Sequence, residues 1–272
     1  METSDEVQSI NRNRWKSLIF IPIALLLLGW LLTTPPGLLG KADAIGYAVC
    51  HRIGVRSFYF GDRQMPLCAR CTGMYLGSML GLVYQLVVGR KRMGIPPRRV
   101  IMILIAFVIG FGIDGVNSFA TLFPNIPTLY QPQNWLRLLT GTGMGLAVSA
   151  ALFPAFNQTV WQTEDLKSAL SGFRSLGLLF LFGVLVDALV LSGNPLILYP
   201  LGLISSLGVI MLLTMVYTMV WLLVLKYENR IHNLVGLTLP LMGGFAFSLV
   251  QIGLLDLGRF LLTGTWDGFH LG

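Results

Sequence analysis

Apolar residues in this chain run in blocks too long for the alternation of a strand or the stripe of a soluble amphipathic helix. Seven blocks stand out, at 17–34, 72–89, 100–123, 136–154, 175–192, 197–225 and 231–258. A helix rises 1.5 Å per residue, so about 20 apolar residues cross a bilayer core of roughly 30 Å. The pattern predicts an all-α fold, a polytopic transmembrane bundle of about seven helices. The sixth block is long enough to tilt or to extend beyond the bilayer. Gly73, Gly77 and Gly81 in the second block, and Gly141, Gly145 and Ser149 in the fourth, recur every four residues. That spacing lets helices approach closely in lipid, where packing drives association.

Composition removes the soluble alternatives. The 272 residues are 54% hydrophobic and 11% charged, with a mean hydropathy of +0.72; a soluble domain carries roughly 25% charged residues. A net charge of +7 and a pI near 9.6 would point to nucleic acid in a soluble protein. In a membrane chain, Lys and Arg instead collect in cytoplasmic loops. The expected partner is therefore the lipid bilayer, not nucleic acid, and nothing in the sequence indicates an oligomeric state.

Charge orients the bundle. Arg12, Arg14 and Lys16 precede the first block; Arg90, Lys91, Arg92, Arg98 and Arg99 follow the second; Lys167, Arg174, Lys226 and Arg230 follow the fourth and sixth. With these inside, residues 1–16 form a cytoplasmic tail, 17–258 a single transmembrane bundle, and 259–272 an extracytoplasmic tail of a multi-pass plasma-membrane (inner-membrane) protein. A signal-peptide reading also exists: a basic start and an apolar run precede Ala42-Asp43-Ala44. The run is long for a signal, Pro35-Pro36 intervenes, and cleavage would leave six helices.

One outside loop, 35–71, breaks the charge rule. Its stretch AVCHRIGVRSFYFGDRQMPLCARCTG holds all three cysteines, His51, and Arg52, Arg56, Arg63 and Arg70. Three chemistries compete for it. Cys50-His51 with Cys68-Ala69-Arg70-Cys71 offers four metal ligands, a set that suits zinc; because neighbouring side chains often diverge, Cys50, Cys68 and Cys71 with His51 elsewhere, and an Asp or a water in the fourth place, is the other set. Cys68 and Cys71 open a helix beside Arg70, which lowers a thiol pKa and suits dithiol exchange, with quinone as the electron partner. CHRIGVRS matches the C-x5-R-S pattern of phosphate-cradling cysteine loops, which require a strand before and a helix after.

Within the loop only Asp43 and Asp62 are acidic, so the guanidiniums point to a bound anion, either a lipid headgroup or a small soluble anion. Ionisable residues at membrane depth normally face the protein interior. Asp114, Asp187 and Asp256 lie toward the same outer side, Asn117 shares a face with Asp114, and Asn134, Arg137 and Thr140 form a stripe. The structural alternatives are an Asp114–Arg137 pair and an Asp256–Arg259 pair.

The residues CHR…RSF…G…Q.PLCARCTGMYLG resemble a family of bacterial and archaeal membrane proteins catalogued as domain of unknown function number 2085. The resemblance covers roughly 45–150 and extends to Asp114-Gly115 and to Asn134, Arg137, Thr140 and Gly141. It implies a membrane protein and specifies no reaction. Taken together, the expected site is a zinc centre of Cys50, His51, Cys68 and Cys71. Around it, Arg52, Arg56, Arg70, Arg137, Asn134 and Asn117 bind an anion, with Asp114 and Arg137 as catalytic groups. A dithiol/quinone redox protein and a transporter of a small anion or metal, lined by Asp114, Asp187 and Arg137, are the alternatives.

Overall fold

The computed structural model describes residues 20–123, 127–162 and 165–267. The basic tail carrying Arg12, Arg14 and Lys16 lies outside the described residues. Helix α1 spans Phe20–Thr33. It is followed by α2 (Gly37–Val49), α3 (Ala69–Gly89), α4 (Arg98–Ala120), α5 (Asn134–Val160), α6 (Phe173–Leu191), α7 (Pro195–Val224) and α8 (Leu234–Thr263). Six of these, α3 to α8, are long and apolar enough to cross a membrane, and α1 with α2 would add a seventh if counted as one bent span. The chain is an all-α polytopic bundle. Large apolar side chains such as Met102, Ile105, Ile109 and Val116 of α4 remain exposed on its outside, a surface suited to lipid.

Helix α2 stands where a loop was expected. Its thirteen residues, GLLGKADAIGYAV, are too few and too polar to register as a hydropathy block. Its inward face carries Gly40, Ala42, Ala44, Ile45, Gly46 and Tyr47, all buried, against α7 and α8. Proline has no N–H to continue a helix, and at Pro35-Pro36 the axis turns by 101° between α1 and α2. The Ala42-Asp43-Ala44 triplet lies in the middle of this buried helix.

The tightest pair is α3 with α5, the two helices that carry the four-residue spacing of small residues. A Cβ on Gly73 would lie 2.1 Å from the Leu138 carbonyl oxygen, and one on Gly145 2.1 Å from that of Met74. Polar side chains inside this contact are satisfied across it: Ser78 donates to the Gly145 carbonyl (3.1 Å) and Gln85 to that of Ser149 (3.0 Å).

Two helices run further than the hydropathy blocks. Helix α5 continues past Pro154 to Val160 because Asn157 and Gln158 donate to the carbonyls of Arg92 and Met93, each at 2.8 Å. These carbonyls belong to β3 (Arg92–Gly94), which pairs in parallel with β4 (Asp165–Ser168). Helix α8 continues to Thr263, through residues 259–263 of the expected tail, because Arg259 finds acceptors on α2. A small antiparallel hairpin, β1 (Tyr59–Phe60) with β2 (Arg63–Gln64), lies between α2 and α3.

Alternation of the spans collects 50–68, 121–123, 127–133, 192–194 and 264–267 at one end of the bundle. The basic segments 90–97, 161–162, 165–172 and 225–233 collect at the other. Contacts confirm both groupings: Arg52 reaches the Trp266 carbonyl at the first end, and Lys91 reaches that of His232 at the second.

Candidate metal centre and arginine cluster

Close backbone packing brings the three cysteines together. Gly46 of α2 has no room for a Cβ, which would lie 1.9 Å from the Pro66 carbonyl oxygen, so the segment entering α3 rests directly on α2. Cys50 ends α2, its N–H donating to Gly46 (2.8 Å), and Cys68 is the N-cap of α3. Cys71 follows one turn later. The three Sγ atoms all lie within 4.8 Å of one another, and all three thiols are free. Such a group could hold a metal ion.

The surroundings of Cys50 favour a thiolate. Its Sγ accepts from the N–H groups of Arg52 (3.5 Å) and Cys68 (3.4 Å). The turn that aims the first N–H puts Arg52 at φ +51°, a conformation uncommon for a non-glycine residue. Hydrogen bonds from the Cys68 and Cys71 thiols, aided by those two N–H groups, pull the Cys50 thiol well below its ordinary value against the opposing effect of burial. The Cys68 thiol is pushed the other way, up to about 12, first by its hydrogen bond to Cys50.

His51 is exposed and does not join the three sulfurs. Neighbouring side chains diverge, and here the break at the end of α2 sends Cys50 inward and His51 outward. The ligand set that the fold assembles is three thiols. Arg259 closes this corner: its guanidinium donates to the carbonyls of Tyr47 (2.6 Å), Cys50 (2.7 Å) and His51 (3.2 Å), acceptors left over at the end of α2. It also lies 4.0 Å from the Tyr47 ring centroid. No salt bridge joins it to Asp256 among the described residues, so the expected Asp256–Arg259 pair does not form.

A cavity of about 420 Å³ opens beside the thiols between α2 and α8, lined by Cys50, His51 and Arg259 together with Leu254, Leu255 and Leu262. Apolar residues Ile45, Leu67 and Val209 pack around Cys50 on the interior side.

The arginines divide into two groups. Arg52 pairs with Asp43 at 3.0 Å, and Arg63 binds the other oxygen of the same carboxylate at 2.6 Å. Arg52 is thus engaged by a carboxylate that it shares with Arg63, and one positive charge of the three groups is left over. Arg70, Arg56 and Arg137 meet at the end of α4. Arg70 forms an ion pair with Asp114 and donates to Ser118 Oγ at 2.9 Å. The expected Asp114–Arg137 pair is thus replaced by Asp114–Arg70.

Arg137 donates to the same Ser118 Oγ (3.3 Å) and to Asn134 Oδ1 (2.8 Å), while Arg56 donates to the Ser118 carbonyl (2.9 Å). Among the described residues neither Arg56 nor Arg137 has a carboxylate partner. Burial, and then the like charge of Arg70, hold the Arg56 guanidinium below its ordinary pKa.

Asp114 is buried and accepts from the Tyr130 hydroxyl at 2.9 Å. Burial, followed by that hydrogen bond, pushes the Tyr130 phenol up to about 12. Asn117 is engaged with the loop, donating to the Tyr130 carbonyl (2.9 Å) and accepting from the Leu129 N–H (2.7 Å). Asn134 donates to the Val55 carbonyl (3.3 Å), and Thr140 bonds back to its own helix. Asp187 is held by Thr142 at 2.7 Å, apart from this cluster. Ser118 and Tyr130 were missed in the sequence. Ser118 lies one turn after Asp114 and could have been inferred; Tyr130 sits in a loop with no local signal.

The phosphatase pattern does not acquire its fold context. Cys50 follows a helix rather than a strand, and Arg56 is directed at Ser118. The Ser57 hydroxyl is spent on the Ile53 carbonyl (2.9 Å) and on Gln64 (2.7 Å).

Residues 50–151 match the family model described as "Predicted membrane protein (DUF2085)". An uncharacterized protein of Methanothermobacter thermautotrophicus is 32% identical over 102 residues, 37% of this chain and 82% of that protein. Another, of Methanocaldococcus jannaschii, is 28% identical over 120 residues, 44% of this chain and 70% of that protein. No solved structure matches. The matched segment contains the three cysteines, Arg56, Arg70, Asp114 and Arg137.

Proposed function

The chain belongs to the DUF2085 family of predicted membrane proteins, and from that premise we propose that it carries a thiolate metal centre beside an anion site. Cys50, Cys68 and Cys71 would hold the ion, and zinc suits the donor set best. One observation carries this reading: three free thiols within 4.8 Å of one another. Zn–S bonds of about 2.3 Å in a tetrahedral site set sulfurs roughly 3.8 Å apart, which this group accommodates. The N–H donors on Cys50 Sγ are the support a bound thiolate needs. Three protein ligands leave a fourth position, the pattern of a catalytic rather than a closed structural zinc site. A bound zinc ion supplies Lewis acidity toward an oxygen of the substrate.

The chain's own residues then choose the substrate. Arg56 and Arg137, without carboxylate partners among the described residues, bind the anionic group, a phosphate or carboxylate. Asp114 positions Arg70 and Tyr130 around them. The anion is either a lipid headgroup or a small soluble anion, and a membrane-embedded enzyme acting on it is the best reading. In this orientation the site faces outward from the plasma membrane, since the opposite end carries the basic loops.

Metal analysis of the purified protein tests the proposal. One equivalent of zinc is expected, lost in Cys68→Ala. Metal-free protein with a reversible Cys68–Cys71 disulfide and bound quinone would overturn it in favour of redox chemistry. Flux of an anion or metal across vesicles without bond chemistry would make the protein a transporter.

A further inference from the structure

Asp256 presents a second unexplained feature, on α8 one turn before Arg259. Its side chain is 4% exposed. Its Oδ2 accepts from Trp30 Nε1 at 3.4 Å, while Oδ1 is buried with no hydrogen-bond partner among the described residues. Arg259, one turn further along α8, donates to carbonyls at the end of α2 and acts on Asp256 only through space, with no salt bridge between them. An ionised carboxylate left so in a membrane protein is costly without a counter-charge.

The residue lines a cavity of about 410 Å³ between α1 and α8, together with Trp30, Thr33, Thr34, Phe260 and Trp266. Pockets for small organic ligands begin at roughly 300 Å³. The Phe260 and Trp266 ring centroids are 5.6 Å apart. Aromatic faces attract cations, indole most strongly. The Trp30 ring already has the Lys41 ammonium 5.9 Å from its centroid, held there by the Thr34 carbonyl (2.9 Å) and hydroxyl (2.8 Å) rather than by Asp256. A hard metal cation needs six or so oxygen ligands. This cavity offers one carboxylate and two hydroxyls among aromatic rings.

We propose that the α1–α8 cavity binds a small organic ammonium group, with Asp256 neutralising its charge and Trp30, Phe260 and Trp266 packing against its carbons. The ammonium belongs either to a free amine or to a lipid headgroup. The site uses none of the thiols and neither Arg56 nor Arg137, so it stands or falls separately from the metal centre.

Radiolabelled choline, with 3,3-dimethylbutan-1-ol as its uncharged isostere, provides the test on the intact chain in detergent. Saturable choline binding is expected, without competition from the alcohol. Asp256→Asn and Trp30→Leu should each weaken it by about tenfold or more. Asp256→Asn keeps the shape of the side chain and removes a buried carboxylate that no salt bridge holds among the described residues, so it should keep the fold, seen as unchanged melting; Trp30→Leu provides an independent arm. Absence of saturable binding, equal competition by the alcohol, or parental affinity in Asp256→Asn would overturn the proposal. Nanodiscs of phosphatidylglycerol with and without phosphatidylethanolamine then identify the source. Loss of choline binding in the presence of the lipid amine assigns the site to a headgroup, and unchanged binding assigns it to a free amine.

Discussion

Asp114→Asn is the sharpest perturbation of the arginine cluster. Among the described residues, Asp114 is the only carboxylate paired with Arg70, and Arg56 and Arg137 lie around the same Ser118 with none of their own. Removing one partner of a buried ion pair costs about 3–5 kcal/mol, because the other charge is left uncompensated. Arg70 keeps Ser118 Oγ and the Asp114 carbonyl as acceptors, which places the expected loss near the lower bound, about 3 kcal/mol. At roughly 2–4 °C per kcal/mol for a chain of this size, melting should fall by about 6–12 °C. Tryptophan-fluorescence melting in one fixed detergent and salt reads this directly. The double variant Arg70→Met/Asp114→Asn should recover most of the loss, since both charges are gone. Added phosphate should stabilise Asp114→Asn more than the parent, by filling the vacated negative position. A single variant within about 1 °C of the parent, or a double variant no better than the single, would refute the argument.

Gly145→Leu, whose Cβ would sit 2.1 Å from the Met74 carbonyl oxygen, should cost at least about 3 kcal/mol by forcing α3 and α5 apart, read as lost folded yield in detergent. Arg259→Met strips acceptor partners from the end of α2 and should lower zinc affinity about 10–100-fold through Cys50, measured by chelator competition. Because the folded pKa of Tyr130 is raised to about 12, its contribution to stability is full below the free-phenol value of about 10 and fades as pH rises through the folded value. An ultraviolet tyrosinate titration should therefore lose a late-titrating phenol in Tyr130→Phe, and a phenol lost near pH 10 instead would contradict the Asp114 contact. Chelating the metal should lower the melting temperature of the parent and leave that of Cys68→Ala unchanged.

Long apolar helices and the four-residue spacing of small residues in α3 and in α5 were legible in the sequence because both are patterns within one helix; that these two faces meet each other was decided by the fold. The clustering of the cysteines was legible too, since their loop is short and its two halves flank one helix start. Helix α2 was not legible: thirteen residues with a lysine and an aspartate carry no hydropathy signal, and only packing on α7 and α8 makes them a buried helix. Nor was the division of the arginines. Asp43 takes two of them, and Asp114 takes Arg70 rather than Arg137, choices set by distances between residues 44 apart in the chain. The sequence left open whether His51 joins the three cysteines, and the break at the end of α2 leaves it exposed and apart from the three sulfurs. Composition and periodicity determined by themselves that this chain lives in a bilayer and keeps its thiols at one end. Which charges are neutralised, and which remain available to a ligand, was decided only when the helices were brought into contact, because ion pairing depends on three-dimensional distance and not on spacing along the chain.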